Sequence, residues 1–94
     1  MSEHDPLAAA CASAMQKEGV VGVMAVDGQG LCLHSTGTVP ASCAGAIAEM
    51  ATQSRTLLGA DAVITVESPQ GKALLSRSEG ATVALFMQPK SASP

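Results

Sequence analysis

The sequence predicts a single α+β domain with two layers. Three observations lead to this class. The chain has 94 residues, which suits one domain. Two stretches carry the apolar spacing of helices, and five short stretches have the composition of strands. Their order is helix, two strands, a long helix and three strands, which is typical of helices packed on a sheet built from hairpins.

Recognisable end signals bound the first helix. Asp5 can cap it, Pro6 suits its first position because a missing N–H costs nothing there, and Gly19 provides a stop. Apolar residues recur at i, i+4, i+7 and i+8, which predicts one apolar stripe that lies on the sheet. The stripe consists of Leu7, Cys11, Ala14 and Met15.

A hairpin follows the first helix. Residues 20–26 are apolar throughout and rich in valine, which predicts a strand covered on both faces. Asp27-Gly28 supplies the turn. Residues 31–36 alternate more weakly between apolar and polar side chains, so this second strand should lie away from the centre of the sheet.

The second helix is the longest predicted element. Thr38 or Ser42 can cap it, Pro40 is tolerated in its first turn, and Gly59 stops it after about Leu58. One side carries larger residues, which we expect to face the chain's own sheet. That side consists of Ile47, Met50, Ala51, Ser54, Leu57 and Leu58.

A strip of small residues lies on another side of this helix. It consists of Ala44, Gly45, Ala48 and Thr52. Glycine in a helix costs about 1 kcal/mol relative to alanine. Gly45 is therefore either a tolerated local weakness or part of a surface that lets a second helix approach closely.

Three strands complete the domain as a meander. They are predicted at 61–68, 72–78 and 81–88, because the links between them are long enough only for hairpins. Taken alone, the strand at 61–68 has the pattern of a central strand, since both of its faces are apolar. Residues 1–4 and 89–94 are too poor in apolar side chains to offset their ordering entropy, and we expect disordered termini there.

Composition excludes several classes of ligand. The five basic residues are scattered and the net charge is -3, so nucleic acid is not expected as a partner. The apolar run at 20–26 is far shorter than the roughly 18 residues of a membrane span, and Ser2 replaces the glycine that myristoylation requires, so no direct membrane insertion is expected. The three cysteines form no C-x-x-C pair, which is typical of a reducing cytosolic protein.

No catalytic, metal or cofactor site is expected. Cys32 and His34 lie on one face of the second strand, but two ligands are too few for a structural zinc site. The Asp27-Gly28-Gln29-Gly30 segment joins two strands instead of opening a helix, so it offers phosphate no helix N-terminus. The hypothesis of an enzyme that uses Cys32 or Cys43 is poorly supported.

Four segments of the chain resemble the roadblock/LC7 family, and within it the Ragulator subunits. They are VVGVMAVDGQGLCL at 20–33, GTVPASCAGAIAEMA at 37–51, AVITVESPQGKALL at 62–75 and GATVALFM at 80–87. The resemblance implies a profilin-like, five-stranded antiparallel sheet with two helices and no third, C-terminal helix. It also implies that the strand at 61–68 lies at a sheet edge.

The same resemblance implies a function. The chain would be a non-catalytic scaffold subunit of a Ragulator-like complex at the cytosolic face of late endosomes and lysosomes, and also cytoplasmic. It would form a heterodimer with another roadblock-type subunit, join the remaining subunits, including a lipidated one in the membrane, and help dock Rag GTPases for amino-acid signalling to mTOR complex 1. A roadblock homodimer that regulates a small GTPase or dynein cargo attachment is the alternative.

In the family, pairing uses the second helix and the third strand. An apolar edge strand is an aggregation hazard unless it is covered, and a partner strand would cover it by extending the sheet. Ala48→Trp or Val66→Asp should then block pairing and leave the fold intact. The expected interface residues are Ala44, Gly45, Ala48, Thr52, Val63, Ile64, Thr65 and Val66.

Overall fold

A computed structural model of the chain describes residues 5–40, 42–59, 62–78 and 80–89. The five strands form one antiparallel sheet in the order β2-β1-β5-β4-β3. The elements are α1 (Pro6–Met15), β1 (Val20–Val26), β2 (Cys32–Gly37), α2 (Ala44–Leu58), β3 (Ile64–Ser68), β4 (Gly71–Ser78) and β5 (Ala81–Met87). The predicted α+β class with two helices and a five-stranded antiparallel sheet is confirmed. The two termini that we expect to be disordered, residues 1–4 and 89–94, lie outside the described residues, apart from Pro89.

Helix α1 begins as its sequence predicts. The Asp5 carboxylate accepts hydrogen bonds from the backbone N–H groups of Leu7 and Ala8, at 3.1 and 3.2 Å, and Pro6 is the first helical residue. The helix ends at Met15, before Gly19, because the chain turns towards β1 over residues 16–19. All four residues of the predicted stripe pack into the core beneath the helix.

Helix α2 begins later than predicted. Its N-cap is Cys43, with no capping side chain, so neither Thr38 nor Ser42 has that role. The reason is tertiary. The backbone N–H of Thr38 donates to the carbonyl of Val21 at 2.8 Å, and the Thr38 carbonyl lies so close above Gly22 that a Cβ there would be 1.9 Å from its oxygen. Residues 38–40 therefore lie along the sheet before the helix starts.

The end of α2 follows its local signal. Gly59 is the C-cap with φ of +75°, and its N–H donates to the carbonyl of Arg55 at 2.7 Å. Glycine adopts this left-handed conformation without a Cβ clash, which explains why the helix ends after Leu58.

The two helices pack on opposite faces of the sheet, so the described chain has three layers instead of the two expected. Helix α1 covers one face of β1 and β5, and α2 covers the other. This arrangement requires central strands with apolar side chains on both faces, which β1 and β5 have. The buried residues on the α1 face are Cys11, Ala14, Val23, Ala25, Ala81, Val83 and Leu85. Those on the α2 face are Met24, Val26, Ile47, Ala48, Leu75 and Ala84.

Strand β3 is an edge strand. It pairs only with β4 among the described strands, and its residues after Ile64 are exposed. The central position suggested by its apolar pattern is therefore wrong, and the edge position implied by the family resemblance is confirmed. An edge strand that exposes Val66 and is preceded by the exposed Val63 identifies the first part of a candidate interface.

Candidate partner interface

On the side away from β4, the backbone of β3 pairs with no other strand among the residues that the structure describes. Ser68 pairs with Gly71 across a turn of only two residues, so these two residues form the hydrogen-bonded pair that closes the hairpin. Bonded and non-bonded pairs alternate along an antiparallel ladder. Thr65 and Glu67 therefore occupy non-bonded positions opposite β4, and their N–H and C=O groups point away from the sheet. A partner strand could bond to both.

The side chains of β3 divide between the two faces of the sheet. Ile64 and Val66 pair with Leu75 and Ala73, which places them on the α2 face. Val63 and Thr65 fall on the α1 face by alternation. Val63 is 67% exposed and Val66 is 44% exposed, whereas Ile64 is half-buried against the core beneath α2. All four predicted interface residues thus lie at this edge, and three of them are exposed.

Helix α2 crosses the sheet from β1 towards β3. At its N-terminal end the Cys43 thiol lies 3.7 Å from the sulfur of Met24 on β1. At its C-terminal end Ser54 and Arg55 line a small cavity together with Ile64 on β3. The interface residues predicted on this helix are therefore spread along the width of the sheet.

The strip of small residues does not form one surface with β3. Ala48 is only 7% exposed and Ala44 is half-buried, and both pack on the core beneath α2. The expectation that Ala48 faces a partner is corrected, because tryptophan there would disrupt the chain's own core. Gly45 is exposed, but it lies over the β1 end of the sheet, beside Gly30. Of the strip, exposed Thr52 is the member nearest β3 along the helix.

Two leucines at the end of α2 were assigned to the core by the sequence and are exposed instead. Leu57 is 79% exposed and Leu58 is 67% exposed. These two residues occupy the last turn of the 15-residue helix, beyond Ser54 and Arg55, which line the cavity beside Ile64. No periodic signal in the sequence distinguishes them from the buried members of the same stripe.

An apolar groove occupies the part of the α2 face that α2 leaves uncovered. Its volume is about 420 Å³. One row of paired residues across β3, β4 and β5 forms the floor, namely Val66, Ala73 and Phe86. Residues 38–40 form one wall and the β3–β4 turn closes one end. We call this feature the β3–β5 groove.

Two of the three cysteines, Cys11 and Cys43, have the environment of structural thiols. Burial raises the pKa of Cys11, and Asp5 adds to the increase. Burial also raises the pKa of Cys43; its backbone hydrogen bond lowers that pKa, and the neighbouring Cys32 raises it. A raised pKa leaves less thiolate at neutral pH, which opposes nucleophilic use.

Other chemistry-bearing side chains have simple structural roles. The Asp27 carboxylate accepts from the N–H groups of Gln29 and Leu31, each at 2.9 Å, and so holds the β1–β2 turn. Among the residues that the structure describes, no three His, Cys, Asp or Glu side chains group together to hold a metal ion. None of the helices in the described ranges has the length and apolarity needed to cross a bilayer.

Solved structures with a similar fold include a roadblock/LC7 domain and MglB proteins. A roadblock/LC7 domain from Streptomyces avermitilis matches with a TM-score of 0.72 at 18% identity, over 95% of this chain and 81% of that one. The gliding protein MglB from Thermus thermophilus matches with a TM-score of 0.74 at 14% identity, over 94% and 77%. MglB from Myxococcus xanthus matches with a TM-score of 0.73 at 15% identity, over 93% and 79%. The fold is therefore that of the roadblock/LC7 class.

The sequence identifies the family within this class. The model of the Ragulator complex protein LAMTOR5 family matches residues 4–87, and the chain belongs to that family. None of the curated proteins matches the sequence. The chain is thus a roadblock-type, Ragulator-family protein.

Proposed function

We propose that this chain is a non-catalytic scaffold subunit that pairs with another roadblock-type subunit through β3 and the C-terminal part of α2. The single observation that carries this assignment is the open edge of β3. Thr65 and Glu67 direct their backbone groups outwards there, and Val63 and Val66 are exposed beside them. Unpaired strand edges bind other strands, and a second sheet edge satisfies both the polar backbone and the apolar side chains.

The composition supports a role within a complex. Only 14% of the residues are charged, against roughly 25% in typical soluble domains. The most exposed large apolar side chains in the described part of the chain include Leu57, Leu58 and Val63, which are close in sequence between the end of α2 and the start of β3. A subunit that is covered on this side needs fewer charges for solubility.

Membership of the LAMTOR5 family supports a finer proposal. The paired subunits would form part of a Ragulator-like complex at the cytosolic face of late endosomes and lysosomes, held on the membrane by a lipidated subunit. There the complex would dock Rag GTPases for amino-acid signalling to mTOR complex 1. This chain would contribute surface and no catalytic group.

Thr65→Pro tests pairing through the β3 edge. Proline removes the outward N–H but leaves every bond to β4 in place, so the edge tolerates it. We expect the variant to fold, with a far-ultraviolet circular dichroism spectrum like that of the wild type, but not to co-purify with a co-expressed roadblock-type subunit. The matched control is Thr65→Val, which keeps the N–H group and should co-purify normally.

A mass measurement separates the heterodimer from the alternative, a roadblock homodimer. Light scattering of the chain alone gives its mass without a partner, and a stable homodimer lost in Thr65→Pro would favour a roadblock homodimer over the heterodimer. Co-purification of Thr65→Pro at the wild-type level would show that pairing does not use the β3 edge.

A further inference from the structure

Two of the three cysteines lie at the same end of the α2 face. Cys32 pairs across the ladder with Val26, which packs in the core beneath α2. Residues that pair directly share a face of the sheet, so the Cys32 side chain lies on this face. Cys43 is the N-cap residue of α2, and its thiol lies 3.7 Å from the sulfur of Met24. Met24 and Val26 are neighbours on the α2 face of β1, because side chains alternate along a strand.

A backbone contact holds the β1–β2 turn against the start of α2. A Cβ on Gly30 would lie 3.3 Å from the Cα of Gly45, so the two Cα atoms are at most about 5 Å apart. Cys32 follows Gly30 by two residues, and Cys43 precedes Gly45 by two residues. The contact therefore brings together the two segments that carry these cysteines. Burial is the largest cause that raises the pKa of Cys43, and the charge of Cys32 adds to it, which agrees with this placement.

The two thiols differ in exposure. Cys32 is exposed, whereas Cys43 is partly buried beside Met24. A dissolved oxidant reaches an exposed thiol first. A partly buried thiol reacts slowly with such a reagent, but it reacts readily with a group held next to it, because that reaction is intramolecular. A reactive cysteine and a resolving cysteine have this arrangement.

We propose that Cys32 and Cys43 form a reversible intramolecular disulfide when the chain is exposed to hydrogen peroxide. The Cys32 thiolate attacks one peroxide oxygen, the O–O bond breaks, and the released hydroxide takes up the thiol proton as water, which leaves a sulfenic acid on Cys32. The Cys43 sulfur then attacks the Cys32 sulfur, the S–O bond breaks, and a second water leaves with the Cys43 proton. Two thiols and one peroxide thus give one disulfide and two waters.

The disulfide ties β2 to the start of α2. It closes a loop over residues 33–42, and within this loop residues 38–40 form one wall of the β3–β5 groove. Oxidation therefore restrains the connection between the two elements. Because Cys32 lies on β2, at the opposite edge of the sheet from β3, the bond forms in the single chain and does not depend on pairing at β3.

Hydrogen peroxide tests this proposal on the full chain. After brief oxidation at pH 7.5 and a denaturing quench with N-ethylmaleimide, we expect alkylation of Cys11 alone, instead of all three cysteines. The intact mass should show the loss of two hydrogens. Chymotrypsin cleaves after Leu33, between the two cysteines, and should yield two peptides that are joined until dithiothreitol releases them.

Two variants test the roles of the thiols. Cys43→Ala leaves Cys32 without a resolving thiol, so dimedone should trap at least about 10-fold more sulfenic acid than in the wild type. The matched control is Cys11→Ala, which should form the disulfide as the wild type does. The proposal is wrong if both thiols of the wild type stay reduced, or if Cys32 is oxidised or linked to a second chain while Cys43 remains open to alkylation.

Discussion

The two outer strands of the sheet, β2 and β3, are both open and both carry exposed apolar side chains, yet their surroundings differ. The ladder between β2 and β1 is interrupted by an irregularity beside Val26, whereas β3 pairs with β4 in unbroken register along its whole length. Helix α2 begins over β1, where Cys43 lies beside Met24, and its C-terminal end packs beside β3, where Ser54 and Arg55 line a cavity with Ile64.

This difference shows why an open edge is not sufficient to define a partner surface. An irregular, twisted edge is a poor template for another strand, and bulges commonly protect edges in this way. The β3 edge combines a regular backbone with the exposed Val66 and the β3–β5 groove on one face. A partner that pairs with β3 therefore gains side-chain burial as well as hydrogen bonds, and a partner at β2 would gain much less.

The largest expected effect comes from placing a charge at each edge. Val66 and Leu33 are almost equally exposed, at 44% and 46%, so Val66→Asp and Leu33→Asp should destabilise the single chain by similar, small amounts. An unpaired carboxylate buried in an interface costs several kcal/mol, so Val66→Asp should weaken pairing at least about 100-fold. Leu33→Asp should leave it unchanged. Isothermal titration of the purified subunits measures the pairing affinity of both variants. An equal loss of affinity in the two variants would show that β3 is not preferred over β2 as the pairing edge.

A smaller effect is expected at the β1 end of α2. Gly45 is exposed, and a Cβ there would meet nothing within 4 Å, so Gly45→Ala should stabilise the single chain by about 1 kcal/mol. For a domain of this size the unfolding temperature should rise by roughly 4–8 °C. Because Gly45 lies far along the helix from β3, pairing should be unaffected. Loss of pairing in this variant would instead support the close helix contact that the small-residue strip suggested.

The smallest effect concerns the thiols. Cys32 is exposed on β2 and should be alkylated first, while Cys11 and Cys43 should react slowly at pH 7.5 because burial raises the pKa of each and depletes the thiolate. Pairing at β3 should not change the rate at Cys32. Mass spectrometry of iodoacetamide-treated samples, with and without the partner subunit, gives these rates. Strong protection of Cys32 in the pair would place the partner at the β2 edge.

Local signals in the sequence predicted most of the elements. Asp5 and Pro6 begin α1 as expected, and Gly59 ends α2 as expected, because caps and left-handed glycines act within a few residues. The start of α2 was not predictable in this way. Thr38 has the chemistry of an N-cap, but its backbone bonds to β1 and packs closely over Gly22. A contact between residues so far apart in the chain leaves no local pattern in the sequence.

The candidate interface was predictable only in part. The family resemblance implies an interface on α2 and β3, which stays a prediction, and the structure adds that Val63, Thr65 and Val66 are exposed at the β3 edge. Periodicity on α2 was misleading at both ends of the helix. It assigned Ala48 to a partner and Leu57 and Leu58 to the core, whereas Ala48 is buried and both leucines are exposed.

The sequence by itself determined the order of helices and strands, the two-sided apolar character of β1, and the family. These depend on neighbours in the chain or on patterns that repeat every two to four residues. Only the tertiary structure decided that the helices lie on opposite faces and that the last turn of α2 is exposed. Those properties depend on how elements far apart in the chain are placed relative to one another, which patterns of a few residues do not determine.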